Sequence, residues 1–347
     1  MRLKVVYDDI HTLHRDEWGF HVEKPERLVA PKAVLEEPLF AEIVEWRRAP
    51  RPDESSLSKV HSRDYVDFIR EESRKGFHYV DPDTYVTKYT YEVALSFSTA
   101  AREAALDSLE TGDPWLILPR PPGHHSGRRG WAMGAPTLGF CIFNHSAVAT
   151  QALLERGFSV MVIDFDAHHG NGTQDILWNE PRALHIDVHQ RGIYPGTGWV
   201  TDKGGGEAEG TKINIPLAPG SGDREIAWVA EKVVKPVSEA FKPDAVIVSA
   251  GFDGHYSDPL TSLTITEAGY KILGRLVREV WMASRRRALV IVLEGGYAQG
   301  LSKGFRSFLE GLLGVGEEQK IEPRMEESVS ELLTREVLGK YWGLRVA

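Results

Sequence analysis

Cysteine is almost missing from this 347-residue chain: Cys141 stands alone. One thiol allows no intrachain disulfide, and it excludes a structural zinc site built on cysteines. Long apolar runs are missing too. No stretch approaches the roughly 20 apolar residues of a membrane span. The start, Met1-Arg2-Leu3-Lys4-Val5-Val6-Tyr7-Asp8-Asp9, lacks the apolar stretch of a leader, so a cytoplasmic location is expected. Positive charge is in deficit, with 41 Lys and Arg against 50 Asp and Glu, a net charge of −9. A field of that sign repels phosphates, so no direct nucleic-acid partner is expected, while a cationic substrate suits it. There is no internal repeat and no low-complexity tract. With 42% hydrophobic and 26% charged residues, the chain has the balance of a soluble globular protein, and fold reasoning applies throughout.

Short apolar runs alternate with helical patterns. The runs are Lys4–Tyr7, Trp115–Leu118, Val160–Ile163, Leu184–Val188, Ala245–Val248 and Leu289–Leu293. Several are apolar on both faces, as in a parallel sheet covered by helices on each side. Helices are expected over Tyr91–Leu109, Asn144–Arg156, Arg224–Phe241, Thr266–Ser284 and Leu301–Leu312, with Thr264 or Thr266 as an N-cap. The alternation predicts an α/β fold with a mainly parallel sheet. Residues 202–210, Asp-Lys-Gly-Gly-Gly-Glu-Ala-Glu-Gly, read as a mobile loop, and Arg285-Arg286-Arg287 as a solvated helix end.

The segments just past the strands carry the chemistry. Val160–Ile163 runs into Asp164-Phe165-Asp166-Ala167-His168-His169-Gly170-Asn171-Gly172. Carboxylates and imidazoles are costly to bury unless they bind a metal or each other. Trp115–Leu118 leads to Pro119-Arg120-Pro121-Pro122-Gly123-His124-His125, and Leu184–Val188 to His189 and Tyr194-Pro195-Gly196. Ala245–Val248 leads to Asp253, and Leu289–Leu293 to Glu294-Gly295-Gly296-Tyr297. The C-terminal ends of parallel strands share one edge, where open α/β sheets bind ligands. Asp166 and His168, two apart in an extended segment, point the same way. A catalytic metal takes about three protein ligands, and Asp253 is the best third. Taken alone, each Asp is equally a cap or a turn residue. His124 and His125 supply a general base and a second proton carrier, with Asp164 and Asn171 able to hold one each. Tyr297 offers a phenol to stabilise an oxyanion, although Gly-Gly-Tyr alone reads more simply as a turn with a packed aromatic.

In order and spacing, Arg120-Pro-Pro-Gly-His-His125, Gly139-Phe-Cys-Ile-Phe-Asn144, Asp164–Thr173, Tyr194-Pro-Gly-Thr-Gly198, Ala250-Gly-Phe-Asp253 and Glu294–Tyr297 resemble the histone deacetylase family. That family includes deacetylase-like amidohydrolases and acetylpolyamine amidohydrolases. The resemblance runs from about His21 to Gly314. It implies a single domain, 1–347, with the arginase–deacetylase fold: an eight-stranded, mainly parallel sheet, with 315–347 as a helical tail. It implies one zinc on Asp166, His168 and Asp253, with His124 held by Asp164 and His125 near Asn171 as the main general base and acid. Tyr297 polarises the substrate carbonyl. Phe140, Tyr194 and Gly139 line an acyl-lysine tunnel, Leu260 gates it, and Asp83, ahead of Asp81, grips the substrate at the rim. It also implies potassium at Asp164, Asp166, His168, Asp187 and Val188, with Asp187 where Ser is common. Tyr194 is Phe in many relatives, and His145 stands where a second Asn is common.

The implied activity is hydrolysis of acetyl-lysine or a similar acylated amine, with acetylpolyamines as the alternative substrate. A dimanganese ureohydrolase on the same fold needs bridging carboxylates, but His255 lies two residues after Asp253 and Gly170 two after His168. A non-catalytic binder would have lost ligands, base or tyrosine, and all are present. Residues 126–138 are longer than the matching eukaryotic segment and read equally as part of the tunnel mouth or as a surface loop.

Overall fold

A computed structural model describes residues 2–317 and 319–346 of the protein. Among the described residues ten strands occur in chain order: β1 Leu3–Val6, β2 Val44–Arg47, β3 His78–Asp81, β4 Thr84–Val86, β5 Trp115–Ile117, β6 Val160–Asp164, β7 Ala183–Gln190, β8 Lys212–Leu217, β9 Ala245–Ala250 and β10 Ala288–Leu293. Eight form one sheet in the order β2-β1-β5-β10-β9-β6-β7-β8, every neighbouring pair parallel. β3 and β4 form a separate antiparallel hairpin.

The strands are apolar on both faces because each face buries a different core. Leu116, Ile163, Ile186, Val248 and Ile291 point into one cluster, and Ile117, Val162, Ile247 and Val290 into the other. Alternate side chains leave a strand on opposite sides, so both halves of the alternation must be apolar. The six expected strands are all present. The two that the apolar runs did not show are the sheet edges. β2 (Val-Glu-Trp-Arg) is half exposed, and β8 (Lys-Ile-Asn-Ile-Pro-Leu) alternates apolar with polar residues that are nonetheless buried.

Helices cover both faces. Thr90–Thr111 and His145–Leu154 pack against each other, as do Glu267–Ala283 and Lys303–Leu313. Thr266 is the N-cap of Glu267–Ala283, its hydroxyl accepting from Ala268 N–H. The expected helix 224–241 contains a π-helical stretch, Val229–Val234. After residue 314 the chain forms further helix over Glu327–Leu333 and Gly339–Trp342, with Val329, Leu333, Val337 and Leu338 in the core.

Residues 202–210 are not loose. Gly205 N–H donates to Trp178 O, Trp342 Nε1–H donates to Gly210 O, and Ala208 is buried. Gly210 sits so close to the Tyr341 ring that a Cβ there would lie 2.3 Å from it. Gly210, read as flexible in sequence, serves close packing against a helix far along the chain, and Gly205 packs on Trp178, where a Cβ would fall 2.6 Å from the indole nitrogen. The basic run is exposed at the end of the Glu267–Ala283 helix, as expected; there Arg285 pairs with Asp244 and Arg286 lies over Phe158. Among the described residues, no helix is long and apolar enough to cross a membrane.

Candidate active site

The C-terminal ends of β5, β6, β7, β9 and β10 meet around a cavity of about 260 Å³. Its lining includes His124, His125, Gly139, Phe140, Asp166, His168, Tyr194, Asp253, Leu260, Tyr297 and Asp83. Five separated segments therefore deliver to one place nearly every residue expected there.

At the floor, Asp166, His168 and Asp253 converge. His168 Nδ1 lies 2.8 Å from Asp253 Oδ2 and 3.2 Å from Asp166 Oδ1. The outer lone pairs are fixed by backbone: Gly295 N–H donates to Asp166 Oδ2 at 2.7 Å, and Ala167 N–H to Asp253 Oδ1 at 2.9 Å. Gly295 must be glycine, because a Cβ would stand 2.5 Å from Asp166 Oδ2 and 2.7 Å from Asp253 Oδ2. Burial pushes the Asp253 pKa up, with Asp166 adding to the effect. His168 is raised to about 10: burial opposes its charge, but hydrogen bonds to Asp166 and Asp253 outweigh burial. One imidazole and two carboxylates, open to a cavity on one side, fit a divalent cation with a free position.

His124 and His125 lie in contact, with ring centroids 4.0 Å apart, in opposite electrostatic settings. His124 Nδ1 faces Asp164 Oδ2 at 3.1 Å. Burial disfavours its charge, but Asp166 and Asp164 overcome that and raise its pKa well above the usual value. His125 Nδ1 lies 2.8 Å from Asn171 Oδ1. Asn171 donates its amide Nδ2–H to Ala132 O, so Oδ1 is the acceptor and His125 Nδ1 carries the proton. Its Nε2 lone pair is left free. Burial, then His124 and His168, lowers the His125 pKa well below normal. Neighbouring groups pushed apart in this way take different roles: the neutral one can accept a proton, and the charged one stays charged.

The walls are laced together. Tyr194 stands edge-on to His125 at 4.8 Å, and its hydroxyl donates to Thr137 O at 2.9 Å. Phe140, at a φ of 69°, lies between His21 and Tyr297. Tyr297 N–H donates to Asp258 Oδ2 at 2.9 Å, and the Arg27 guanidinium covers the ring at 4.9 Å. Burial keeps the Tyr297 phenol protonated. Leu260 N–H donates to the other Asp258 oxygen. Asp83 lines the cavity, and its carboxylate accepts from Thr137 and Thr84; Asp81 lies beside it, accepting from Leu138, Asp83 and Thr84 N–H. Segment 126–138 does not line the cavity. It supports the walls from behind through Ala132, Thr137 and Leu138.

Of the five residues expected around potassium, Asp164 and Asp187 bring their carboxylates together, joined by His185, for which the sequence offered no role. Asp187 accepts from Gly170 N–H at 2.8 Å and faces His189 Nδ1 at 2.6 Å. Asp166 and His168 direct their side chains to the other group, and Val188 packs in the core. His169 joins neither group. His145 is buried between Ser98 Oγ and Pro121 O.

Several supporting residues had no role assigned from sequence. Glu294 Oε2 accepts from Gly123 and His124 N–H. Arg27 donates to the carbonyls of Gly296 and Glu294. Arg120 and Glu23 form a buried bidentate pair at 2.5 and 2.7 Å. The only signal for them was their place inside otherwise recognisable motifs.

The histone deacetylase domain matches residues 21–312. The chain is 42% identical over 308 residues to an uncharacterized protein of Methanocaldococcus jannaschii, covering 89% of this chain and 87% of that one. It is 39% identical to a probable deacetylase of Archaeoglobus fulgidus, over 85% and 81% of the two chains. It is 32% identical to a histone deacetylase-like amidohydrolase of Pseudomonas aeruginosa, over 80% and 73%. The crystal structure of the HDA15 HD domain superposes with a TM-score of 0.87 at 29% identity, covering 99% of this chain and 95% of that one.

Proposed function

The chain belongs to the histone deacetylase family, and from that premise we propose that it is a zinc-dependent amidohydrolase that removes acetyl groups from acetyl-lysine or similar acylated amines. The carrying observation is a pair of touching histidines with opposite pKa shifts, set beside one imidazole and two carboxylates that share a cavity with a protonated tyrosine. Asp166, His168 and Asp253 would hold the zinc. When bound, it supplies Lewis acidity to the amide carbonyl and lowers the pKa of attacking water.

The protein's own groups then divide the work. His125 takes the proton of the attacking water on its free Nε2 and returns it to the leaving amine. Asn171 fixes the tautomer that leaves that nitrogen open. His124, kept charged by Asp164 and Asp166, places positive charge beside the developing oxyanion. Tyr297 donates its hydroxyl to the same oxygen. Phe140 and Tyr194 flank the methylene arm, Gly139 leaves room for it, Leu260 stands at the gate and Asp83 takes a donor at the rim. Water and the amide become acetate and a free amine. The paired Asp164 and Asp187 carboxylates fit a cation, and we assign potassium there.

The test is turnover of a fluorogenic acetyl-lysine peptide beside acetylspermidine and acetylputrescine. Cleavage abolished by a chelator, restored by zinc and blocked by a hydroxamate is expected. Zinc-loaded protein inert on all three would refute the proposal.

A further inference from the structure

The metal-ligand segment holds two adjacent histidines, and only His168 faces the cavity. His169 points the other way and is buried. Its Nε2 lies 3.2 Å from Gln174 Oε1, and that oxygen also accepts from Asn214 Nδ2 at 2.8 Å. Gln174 Oε1 is therefore an acceptor, His169 Nε2 carries the ring proton, and Nδ1 is left to accept. The hydroxyl of Thr197 lies 2.8 Å from that nitrogen. One residue on, the Gly198 carbonyl faces His189 Nε2 at 3.0 Å. The two imidazoles lie side by side at 4.9 Å, and the loop rests directly on them. A Cβ at Gly198, whose φ is +84°, would fall 2.6 Å from both rings.

This loop carries Tyr194, whose own hydroxyl reaches across to Thr137 O. The wall is thus held at its tip by one hydrogen bond and at its return by two histidines. We propose that His169 is a positioning residue that fixes the Tyr194 wall of the tunnel through Thr197, with His189 holding Gly198 beside it. The peptide bond between His168 and His169 then sets the distance from the metal to the wall. The proposal rests on the reading of the cavity as an acyl-amine tunnel over a metal.

Thr197→Val tests it, because valine keeps the shape and removes the donor to His169, while Thr197→Ser keeps the donor. The zinc-loaded proteins are titrated with two probes: acetohydroxamate, which reaches the metal without an arm, and a hydroxamate on a long linear alkyl arm, which also fills the tunnel. Losing one buried hydrogen bond behind the wall should weaken the armed probe about tenfold in Thr197→Val. Acetohydroxamate should change less than about twofold, zinc content should stay the same, and Thr197→Ser should match the parent. In turnover, the loss should appear in KM more than in kcat. If Thr197→Val binds both probes like the parent, the clamp is overturned. It is equally overturned if both probes weaken together with zinc loss, since His169 would then serve the metal segment and not the wall. A parent protein that binds neither probe would instead overturn the reading of the cavity itself.

Discussion

Replacing Tyr297 by Phe removes one hydroxyl and little else. The ring stays anchored, because Tyr297 N–H still reaches Asp258 and the aromatic face still meets Arg27 and Phe140. The hydroxyl itself has no hydrogen-bond partner among the described residues, so no buried acceptor is stranded by its loss. The variant is therefore a clean deletion of one donor aimed into the cavity. Removing one donor that acts on a developing oxyanion costs about 3–4 kcal/mol, or roughly 10²–10³ in kcat. The proposed zinc ligands are not touched, so metal content should remain one per chain and thermal stability should shift by less than about 1 kcal/mol. The assay is kcat on an acetyl-lysine peptide, paired with elemental analysis and a melting curve. A kcat within about fivefold of the parent would refute the role of the phenol. Loss of metal would show that the ring supports the ligands instead.

Gly139→Ala would place a methyl 2.6 Å from His125 Cδ2 and 2.7 Å from the Tyr194 hydroxyl, at a φ of +56°. A fall of more than about tenfold in kcat/KM with zinc retained is expected, and an unchanged kcat/KM would contradict the close packing. The fold should also lose stability in mild acid. Burial lowers the His14 and His61 pKa values to about 3 and the His145 value to about 4, so the unfolded chain takes protons first as pH drops below about 6.5. At pH 5.5 each contributes a loss of about 1.4 kcal/mol, about 4 kcal/mol together, and a urea midpoint that stays flat from pH 7.5 to 5.5 would refute this.

Legibility in the sequence tracked burial on two faces. β5, β6, β7, β9 and β10 were visible as apolar runs because both faces are covered, and their ends were then bound to meet. β2 was not seen because it is a half-exposed edge, and β8 because its buried Lys212 and Asn214 are polar and find their partners, Ala183 O and Gln174 Oε1, only after folding. The clustering of Asp166, His168 and Asp253 could be anticipated because two carboxylates and an imidazole buried together at strand ends are costly without a metal or each other. Arg27, Asp258 and Glu294 could not be read, because their work is to hold backbone N–H and C=O groups whose positions exist only after folding. Gly205 and Gly210 misled for the same reason: a glycine that frees a loop and one that admits an aromatic ring look alike in sequence.

The strand ends concentrate negative charge to a degree that the fold alone does not need. Asp164, Asp166, Asp187, Asp253 and Glu294 are all fully buried at or near the C-terminal ends of β6, β7, β9 and β10. Burial pushes Asp164, Asp253 and Glu294 up, and Asp258 beside them rises to about 6, while for Asp166 and Asp187 burial is outweighed by neighbouring histidines, which hold both below the usual carboxylate range. Raised carboxylate pKa values mark a site under charge strain that a bound cation would relieve. A cation held only by the folded state stabilises it by about 4 kcal/mol at a thousand times Kd. For a chain of 347 residues that raises Tm by roughly 5 °C. Asp253→Asn separates this effect from ordinary packing. Asparagine keeps the Oδ1 acceptor for Ala167 N–H, but its amide nitrogen would face His168 Nδ1, which lies 2.8 Å from Asp253 Oδ2 in the parent. In metal-free protein the variant should therefore melt below the parent, because the buried His168 imidazole loses its partner, and the zinc-dependent gain should disappear. If Asp253→Asn still gains about 5 °C with zinc, the cavity floor is not where the metal binds.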